Sequence, residues 1–315
     1  MHAGTVRHEP GRPPGYHREV PTPAAEVEVD TALVRALLVD QHPDLADRPL
    51  AVVASGWDNV VVRLGADLAV RMPRRSAAVV LVEHEQRWLP ELARLVGAVV
   101  PVPVPLRAGR PALGYPWAWS VVPWFPGRTL GSDAGGPGVG EALADFVSAL
   151  HVPAPDDAPP NAVRAVPLHT RTDAVLERLG SGPVPRAEEL ATAWRTAADL
   201  PVSAGPPVWV HGDLHPFNLL VETGPRGDHL SAVVDFGDVT AGDSAVDLAT
   251  AWLTLDREAR TAFRARVTAQ DASLDEHSLG RARGWAVSIA SALAVSDEPS
   301  FRTVARRAID DVLDD

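Results

Sequence analysis

Short apolar runs broken by turn residues fill the first third of the chain, and longer helical spacing takes over after it. Residues 51–54 (Ala-Val-Val-Ala), 60–64 (Val-Val-Val-Arg-Leu) and 68–72 (Leu-Ala-Val-Arg-Met) are rich in β-branched side chains and predict three strands. Over residues 77–96 the apolar positions Val80, Leu81, Trp88, Leu89, Leu92, Leu95 and Val96 recur at helical spacing, which predicts a helix packed under that sheet. Residues 101–105 alternate Pro and Val and are expected to be extended and edge-like, because proline cannot donate to a central ladder. An apolar strand at 119–122 follows. A helix over 139–151 then carries Leu143, Phe146, Val147 and Leu150 on one face. A Pro-rich loop at 152–167 leads to helices near 171–179 and 187–200. Further strands are expected at 207–210, 219–222 and 230–234, the last two joined by a hairpin on Gly224, Pro225 and Gly227. Helices around 257–268, 280–295 and 301–313 close the chain.

Chemistry concentrates between those later strands. The strand at 207–210 runs into His211-Gly212-Asp213-Leu214-His215-Pro216-Phe217-Asn218, and the strand at 230–234 delivers Asp235-Phe236-Gly237. One carboxylate is able to take the proton of a hydroxyl nucleophile. One amide and a second carboxylate are oxygen donors suited to a hard cation that carries phosphates. Either triplet alone is an ordinary turn. Together, each after an apolar strand, they point to phosphoryl transfer.

These residues resemble the aminoglycoside phosphotransferase family, small-molecule kinases that share the protein-kinase fold. The resemblance implies an α+β, bilobal chain: an N-terminal antiparallel sheet with one main helix, then a larger, mostly helical C-terminal lobe. It implies that Asp213 is the catalytic base, that Asn218 and Asp235 are metal ligands for Mg²⁺, and that His211 braces the loop. His215 stands where protein kinases carry a lysine that neutralises the transferring group; it serves either as imidazolium or as a hydrogen-bonding member of the loop. Phe217 either narrows the acceptor side or packs.

In the N-terminal part, Ser55, Gly56, Trp57, Asp58 and Asn59 form a polar turn between two strands, able to lay backbone amides over phosphates. The family places a lysine on the next strand to hold the nucleotide, and this chain contains no lysine. Arg71 is the expected substitute, with Arg63 and Arg74 as the alternatives. Arginine grips two phosphate oxygens but is bulkier and reaches differently. Glu85 is its expected partner on the helix, with Glu83 as the rival. The segment from Pro123 through Trp124 and Phe125 corresponds to the hinge that reads the adenine edge; Pro123 removes one amide donor there, leaving Phe125 as the expected one. Trp124 and Phe125 as plain core aromatics is the other reading. His151 resembles the family's Leu-His helix end and is read as structural. Asp243 is expected as an N-cap, and the resemblance makes Asp243 and Asp247 braces of the catalytic loop.

Composition narrows the remainder. The 315 residues, 46% hydrophobic, suffice for two lobes. The expected division is a flexible extension at 1–26, a nucleotide-binding lobe and hinge at 27–125, and a catalytic, substrate-binding lobe at 126–315. There is no cysteine, so neither disulfides nor thiolate metal sites contribute. The first twenty-five residues lack a hydrophobic stretch and no long apolar run follows, so the expectation is a cytoplasmic chain with no membrane partner. Thirty prolines and the arginine-for-lysine usage also fit a GC-rich coding genome, a second reason for Arg71. A net charge of −12 speaks against nucleic acid and is compatible with a cationic small-molecule acceptor. The expected cofactors are ATP, with GTP as the alternative, and Mg²⁺. The acceptor is a hydroxyl of an antibiotic or of a metabolite such as a sugar or amino alcohol; a nucleotide-binding pseudokinase is the reading from outside the enzyme class.

Overall fold

The valine-rich runs pair as expected. In the computed structural model, which describes residues 23–225 and 227–315, strands β1 (Leu50–Ser55), β2 (Asn59–Leu64), β3 (Leu68–Pro73), β4 (Arg107–Gly109) and β5 (Trp119–Pro123) form one antiparallel sheet in the order β1-β2-β3-β5-β4. Side chains alternate across a strand, so Val60, Val62 and Leu64 of β2 share a face with Leu68, Val70 and Met72 of β3, whereas Arg71 opposite Val61 points the other way.

The first face is covered by a helix that hydrophobic spacing did not announce, α1 (Thr31–Gln41), through Val34, Leu37 and Leu38. Its start was legible in Asp30, whose carboxylate caps the Leu33 N–H at 2.8 Å ahead of that apolar triplet. The second face meets the main helix α2 (Val79–Val96). Contrary to expectation, α2 does not spend its apolar stripe on the sheet. Val80 is exposed, and Trp88, Leu89, Leu92 and Val96 join the core of the lower lobe, where the Trp88 and Trp209 rings lie 5.0 Å apart. The helix therefore ties the sheet to the rest of the molecule.

The edge strand also sits later than the Pro-Val alternation suggested. Residues 101–105 form no strand, because Pro101, Pro103 and Pro105 bring no N–H; pairing with β5 starts at the Leu106 N–H, which donates to Val121, and continues in β4.

The lower lobe contains strands β6 (Arg128–Thr129), β7 (Val208–Val210), β8 (Leu219–Gly224), β9 (Gly227–Val233) and β10 (Thr240–Gly242). They form two small antiparallel sheets, β6-β8-β9 and β7-β10. Its helices are α3 (Pro137–Leu150), α4 (Thr172–Gly180), α5 (Ala187–Ala198), α6 (Ala245–Leu248), α7 (Thr250–Thr254), α8 (Arg257–Gln270), α9 (Ser278–Ala294) and α10 (Pro299–Leu313). α9 is buried on nearly every side. Its one strongly buried cation, Arg281, is met by the carboxylates of Asp243 at 2.6 Å and Asp275 at 2.9 Å. Trp194, Trp209, Trp252 and Trp285 are fully buried in this core, which is where most of the chain's tryptophan surface is spent. Among the described residues no helix is long and apolar enough to cross a membrane. Residues 1–22 of the expected N-terminal extension lie outside the described residues; Glu26 donates its N–H to the Arg74 carbonyl and accepts from Ser76.

Candidate active site

Two hairpin-like pairings bring the two carboxylate triplets together. β7 pairs with β10, so the loop leaving Val210 passes over the turn leading into Thr240. β8 pairs with β9, and the Val234 N–H donates to the Asn218 carbonyl at 2.9 Å, which sets Asp235 beside Asn218. Gly212 makes the close approach possible: its φ is +82°, and a Cβ there would lie 2.6 Å from the Asp238 carbonyl. Asp235 itself adopts a left-handed backbone, φ +66°, which is uncommon for a residue with a side chain and turns its carboxylate into the cleft.

Behind the loop, Asp247 accepts the N–H groups of His211 at 2.7 Å and Gly212 at 2.8 Å, and so braces the turn as expected. Asp243 does not. Its carboxylate accepts the Ala245 N–H and holds Arg281, with no bond to the catalytic loop among the described residues; α6 is one turn long and its N-cap position is Ser244. His211 packs on Phe236, with ring centroids 4.5 Å apart, and its Nε2–H donates to the Val234 carbonyl while Nδ1 accepts the Asp213 N–H.

Beneath Asp247, His151 is fully buried at the end of α3, with Nδ1 2.5 Å from Asp271 and Nε2 3.4 Å from Asp247. Burial lowers its pKa, but the hydrogen bonds and charges of the two carboxylates outweigh that and raise it to about 9. A folded-state value above the unfolded 6.5 contributes stability that is complete below pH 6.5 and is lost as pH rises through about 9. That contribution is on the order of 3 kcal/mol. Thermal melts at pH 6.5 and pH 10 are expected to show a lower midpoint at the higher pH. His151→Gln should melt lower at pH 6.5 and lose most of that pH dependence; an unchanged profile in the variant rules His151 out as its source.

Asp213 is held at both oxygens. Arg164 Nη2 lies 2.7 Å from Oδ1 and His215 Nε2 3.3 Å from Oδ2. Burial pushes its pKa up, but Arg164 and then His215 overcome this and keep it well below the usual carboxylate range. His215 Nδ1 accepts the Phe217 N–H at 3.3 Å, so a neutral ring protonated at Nε2 satisfies both contacts. The imidazolium reading of His215 is therefore not required by its geometry. Asn218 fixes its amide by donating to the Asp213 carbonyl at 2.9 Å, which leaves its oxygen for another partner. Phe217 packs on Phe301, 4.5 Å between rings.

Arg71 joins the sheet to this loop. Its Nε is 3.1 Å from Glu85 and its Nη2 is 2.5 Å from Asp235, which settles the pairing on Glu85 over Glu83. Arg63 and Arg74 are engaged elsewhere. Arg63 donates to the Gly65 and Ala66 carbonyls and stacks 4.0 Å over Trp124; Arg74 donates to Ser55 and to the Gly56 carbonyl. Arg75 holds the same turn through the Trp57 carbonyl and the Asp58 carboxylate, and the Gly56 N–H closes onto the Asn59 carbonyl. Burial raises the Glu85 pKa, Arg71 opposes this, Asp235 adds to it, and the result is about 7. Burial also raises that of Asp235, but Arg71 outweighs it and the net shift is downward.

At the hinge, Pro123 ends β5 and the Trp124 N–H donates to the Asp67 carbonyl at 2.8 Å. The Phe125 N–H has no hydrogen bond among the described residues, and neither aromatic belongs to the buried core.

With this geometry in view, residues 49–285 match the sequence profile of the phosphotransferase enzyme family, APH, over more than half of the chain. The chain belongs to that family. The fold of this phosphotransferase is that of solved relatives. The GDP and kanamycin complex of APH(2")-IIia superposes with a TM-score of 0.65 at 18% identity, covering 89% of this chain and 98% of that one. The macrolide 2'-phosphotransferase MphH of Brachybacterium faecium gives 0.56 at 20% identity, covering 88% and 97%. The streptomycin-ATP-APH(2")-IIa ternary complex gives 0.54 at 15%, covering 84% and 90%.

Arg164 is the residue that sequence reasoning missed in this phosphotransferase. It lies forty-nine positions before Asp213 in the Pro-rich loop, and no periodicity or motif marks it.

Proposed function

We propose that this phosphotransferase moves the γ-phosphoryl group of ATP, or alternatively GTP, to a hydroxyl of a small molecule. The observation that carries the reading is the convergence of Asp213, Asn218 and Asp235 beneath an Arg71–Glu85 pair. In this reading residues 27–125 hold the nucleotide, under the turn at 55–59 and against the Phe125 amide. Residues 126–315 carry the catalytic loop and the acceptor, and the reading is of a cytoplasmic enzyme.

Among the described residues no group of three or more His, Cys, Asp or Glu side chains is arranged to hold a metal. Asp235, nearly half exposed, and the Asn218 amide oxygen are two hard donors, which fits a Mg²⁺ that brings its remaining oxygens from phosphates and water. When bound, such an ion neutralises phosphate charge. The protein orients the acceptor and takes its proton. Asp213 accepts the acceptor's hydroxyl proton as that oxygen bonds to the γ-phosphorus and the bond to the β-phosphate oxygen breaks, releasing ADP. Arg71 leaves Asp235 for the α- or β-phosphate while Glu85 keeps its Nε in place. Catalysis of this loose transfer is chiefly positioning and charge neutralisation.

Aminoglycosides and macrolides are the acceptor classes suggested by the relatives, and sugars and amino alcohols are the metabolite alternatives. The Asp213 charge is already met by Arg164 and His215, so a cationic acceptor gains no unpaired carboxylate at that point. A coupled ADP-release assay across these classes, with an acceptor-free control, tests the reading. Acceptor-dependent ADP release supports it. Nucleotide binding without turnover favours the pseudokinase.

Asp235→Ala is expected to weaken Mg·ATP binding strongly and to leave ATP binding in EDTA little changed, since the carboxylate acts through the ion. Equal Mg·ATP affinity by calorimetry in wild type and variant removes Asp235 from the metal shell.

A further inference from the structure

The Pro-rich loop before α4 is fastened to the catalytic segment at three points and braced once within itself. Thr240 Oγ1 donates to the Pro159 carbonyl at 2.7 Å, and Asn161 Nδ2 donates to Asp238 Oδ1 at 2.9 Å. The Asn161 carboxamide oxygen accepts the N–H groups of Val163 at 2.9 Å and Arg164 at 3.0 Å, which folds the strap into a tight turn. The Asp243 N–H then donates to the Ala165 carbonyl at 3.1 Å. Ala165 is buried with φ +55°, a conformation that L residues seldom adopt, and Gly242 makes room for it, since a Cβ there would lie 2.4 Å from the Ala165 oxygen.

All of this construction has one outcome at the cleft: the guanidinium of Arg164 rests 2.7 Å from Asp213, with His215 on the other carboxylate oxygen. Both partners are about three-quarters buried, and the desolvation of such a pair offsets much of its attraction, so stability alone does not account for a strained, multiply tethered strap. Orientation does. A carboxylate gripped at one oxygen alone still rotates about its Cβ–Cγ bond; gripped at both, it presents one edge to the acceptor.

We propose that Arg164, delivered by the strap at 159–165, is a positioning residue for phosphoryl transfer that fixes the Asp213 carboxylate toward the acceptor hydroxyl. The inference rests on the phosphotransfer reading above. It places Arg164 on the acceptor side of the reaction, away from the nucleotide contacts of Arg71.

The test compares wild type with Arg164→Ala, Arg164→Lys and Asn161→Ala, reading ADP release with kanamycin, with erythromycin and with water alone as acceptor. Misplacement of a reacting group by about 1 Å costs on the order of 10²-fold in rate. Arg164→Ala is accordingly expected to lower kcat by at least ~30-fold, with the Mg·ATP dissociation constant within ~2-fold of wild type. Arg164→Lys, which keeps the charge without the fork, should recover part of that loss. Millimolar guanidinium ion should partly restore Arg164→Ala and leave Asp213→Asn unchanged. Asn161→Ala, which loosens the strap and keeps every charge at the cleft, should lower kcat in the same direction by less, and it stands in if Arg164→Ala fails to fold. An Arg164→Ala kcat within ~3-fold of an active wild type, or an equal rise in the nucleotide dissociation constant, overturns the role of Arg164 alone. A wild type that releases neither ADP from ATP nor GDP from GTP with these or with the sugar and amino-alcohol acceptors overturns the phosphotransfer reading, and this inference with it.

Discussion

Asp213→Asn is expected to lower turnover by at least ~10²-fold, the usual worth of a positioned general base, while Mg·ATP affinity stays nearly intact. The amide is isosteric and still offers an oxygen to Arg164, so the loop keeps its shape and the Asp213 N–H keeps its bond to His211. What it loses is the ability to take the hydroxyl proton. The nucleotide side is insulated, because Arg71 contacts Glu85 and Asp235 and makes no bond to Asp213. Steady-state ADP release gives the first quantity and calorimetry the second. Turnover comparable to wild type removes Asp213 from the mechanism. Because Arg164 acts on the same carboxylate, Asp213→Asn and Arg164→Ala together should cost less than the sum of the two.

Arg71→Ala is expected to raise the ATP Michaelis constant and to lower turnover, since it removes the cation that bridges Glu85 and Asp235. Glu85→Ala should act in the same direction and more mildly. The double variant should be less than additive, with a coupling of about 0.5–3 kcal/mol for groups that share one contact. Removing one member of a buried pair ordinarily costs about 3–5 kcal/mol through the charge left behind. Here the stability loss should be smaller: the Glu85 pKa is about 7 with Arg71 still beside it, so the abandoned carboxyl takes up a proton near neutrality. Arg71→Lys is the sharper experiment. A lysine keeps the charge as a point and forgoes the fork that now spans two carboxylates, and measurable activity is expected to remain. Wild-type kinetics in Arg71→Ala sink the assignment, and Arg63 and Arg74 are poor replacements because both are bonded to the backbone of neighbouring turns.

Relatives under 25% identical supply the fold and leave the acceptor to experiment. The nucleotides in their complexes include both GDP and ATP, so the ADP-release panel is best run alongside a GDP-release panel.

Much of this molecule was written locally. Strand and helix positions follow from apolar spacing, because a strand or helix buries residues at its own period whatever it packs on; β2, β3, α3 and α9 appear where that spacing put them. The pair of motifs around Asp213 and Asp235 was legible for the same reason, each riding on the end of an apolar strand. Other features depend on chain segments far apart in sequence. Whether Glu83 or Glu85 meets Arg71 turns on the rotation of α2 against the sheet, and whether the stripe of α2 serves the upper or lower core turns on where α3 and β7 come to rest. Phe125 was marked as a hinge donor by the proline before it, and the tertiary structure adds that the neighbouring Trp124 amide is taken by Asp67, from the β2–β3 turn. Arg164 is the clearest case. Its neighbours in sequence are prolines, alanines and valines that carry no period. It reaches Asp213 because Thr240, Asp238 and Asp243 fasten its loop to a strand more than seventy residues away, an arrangement of long-range hydrogen bonds that one-dimensional spacing does not contain.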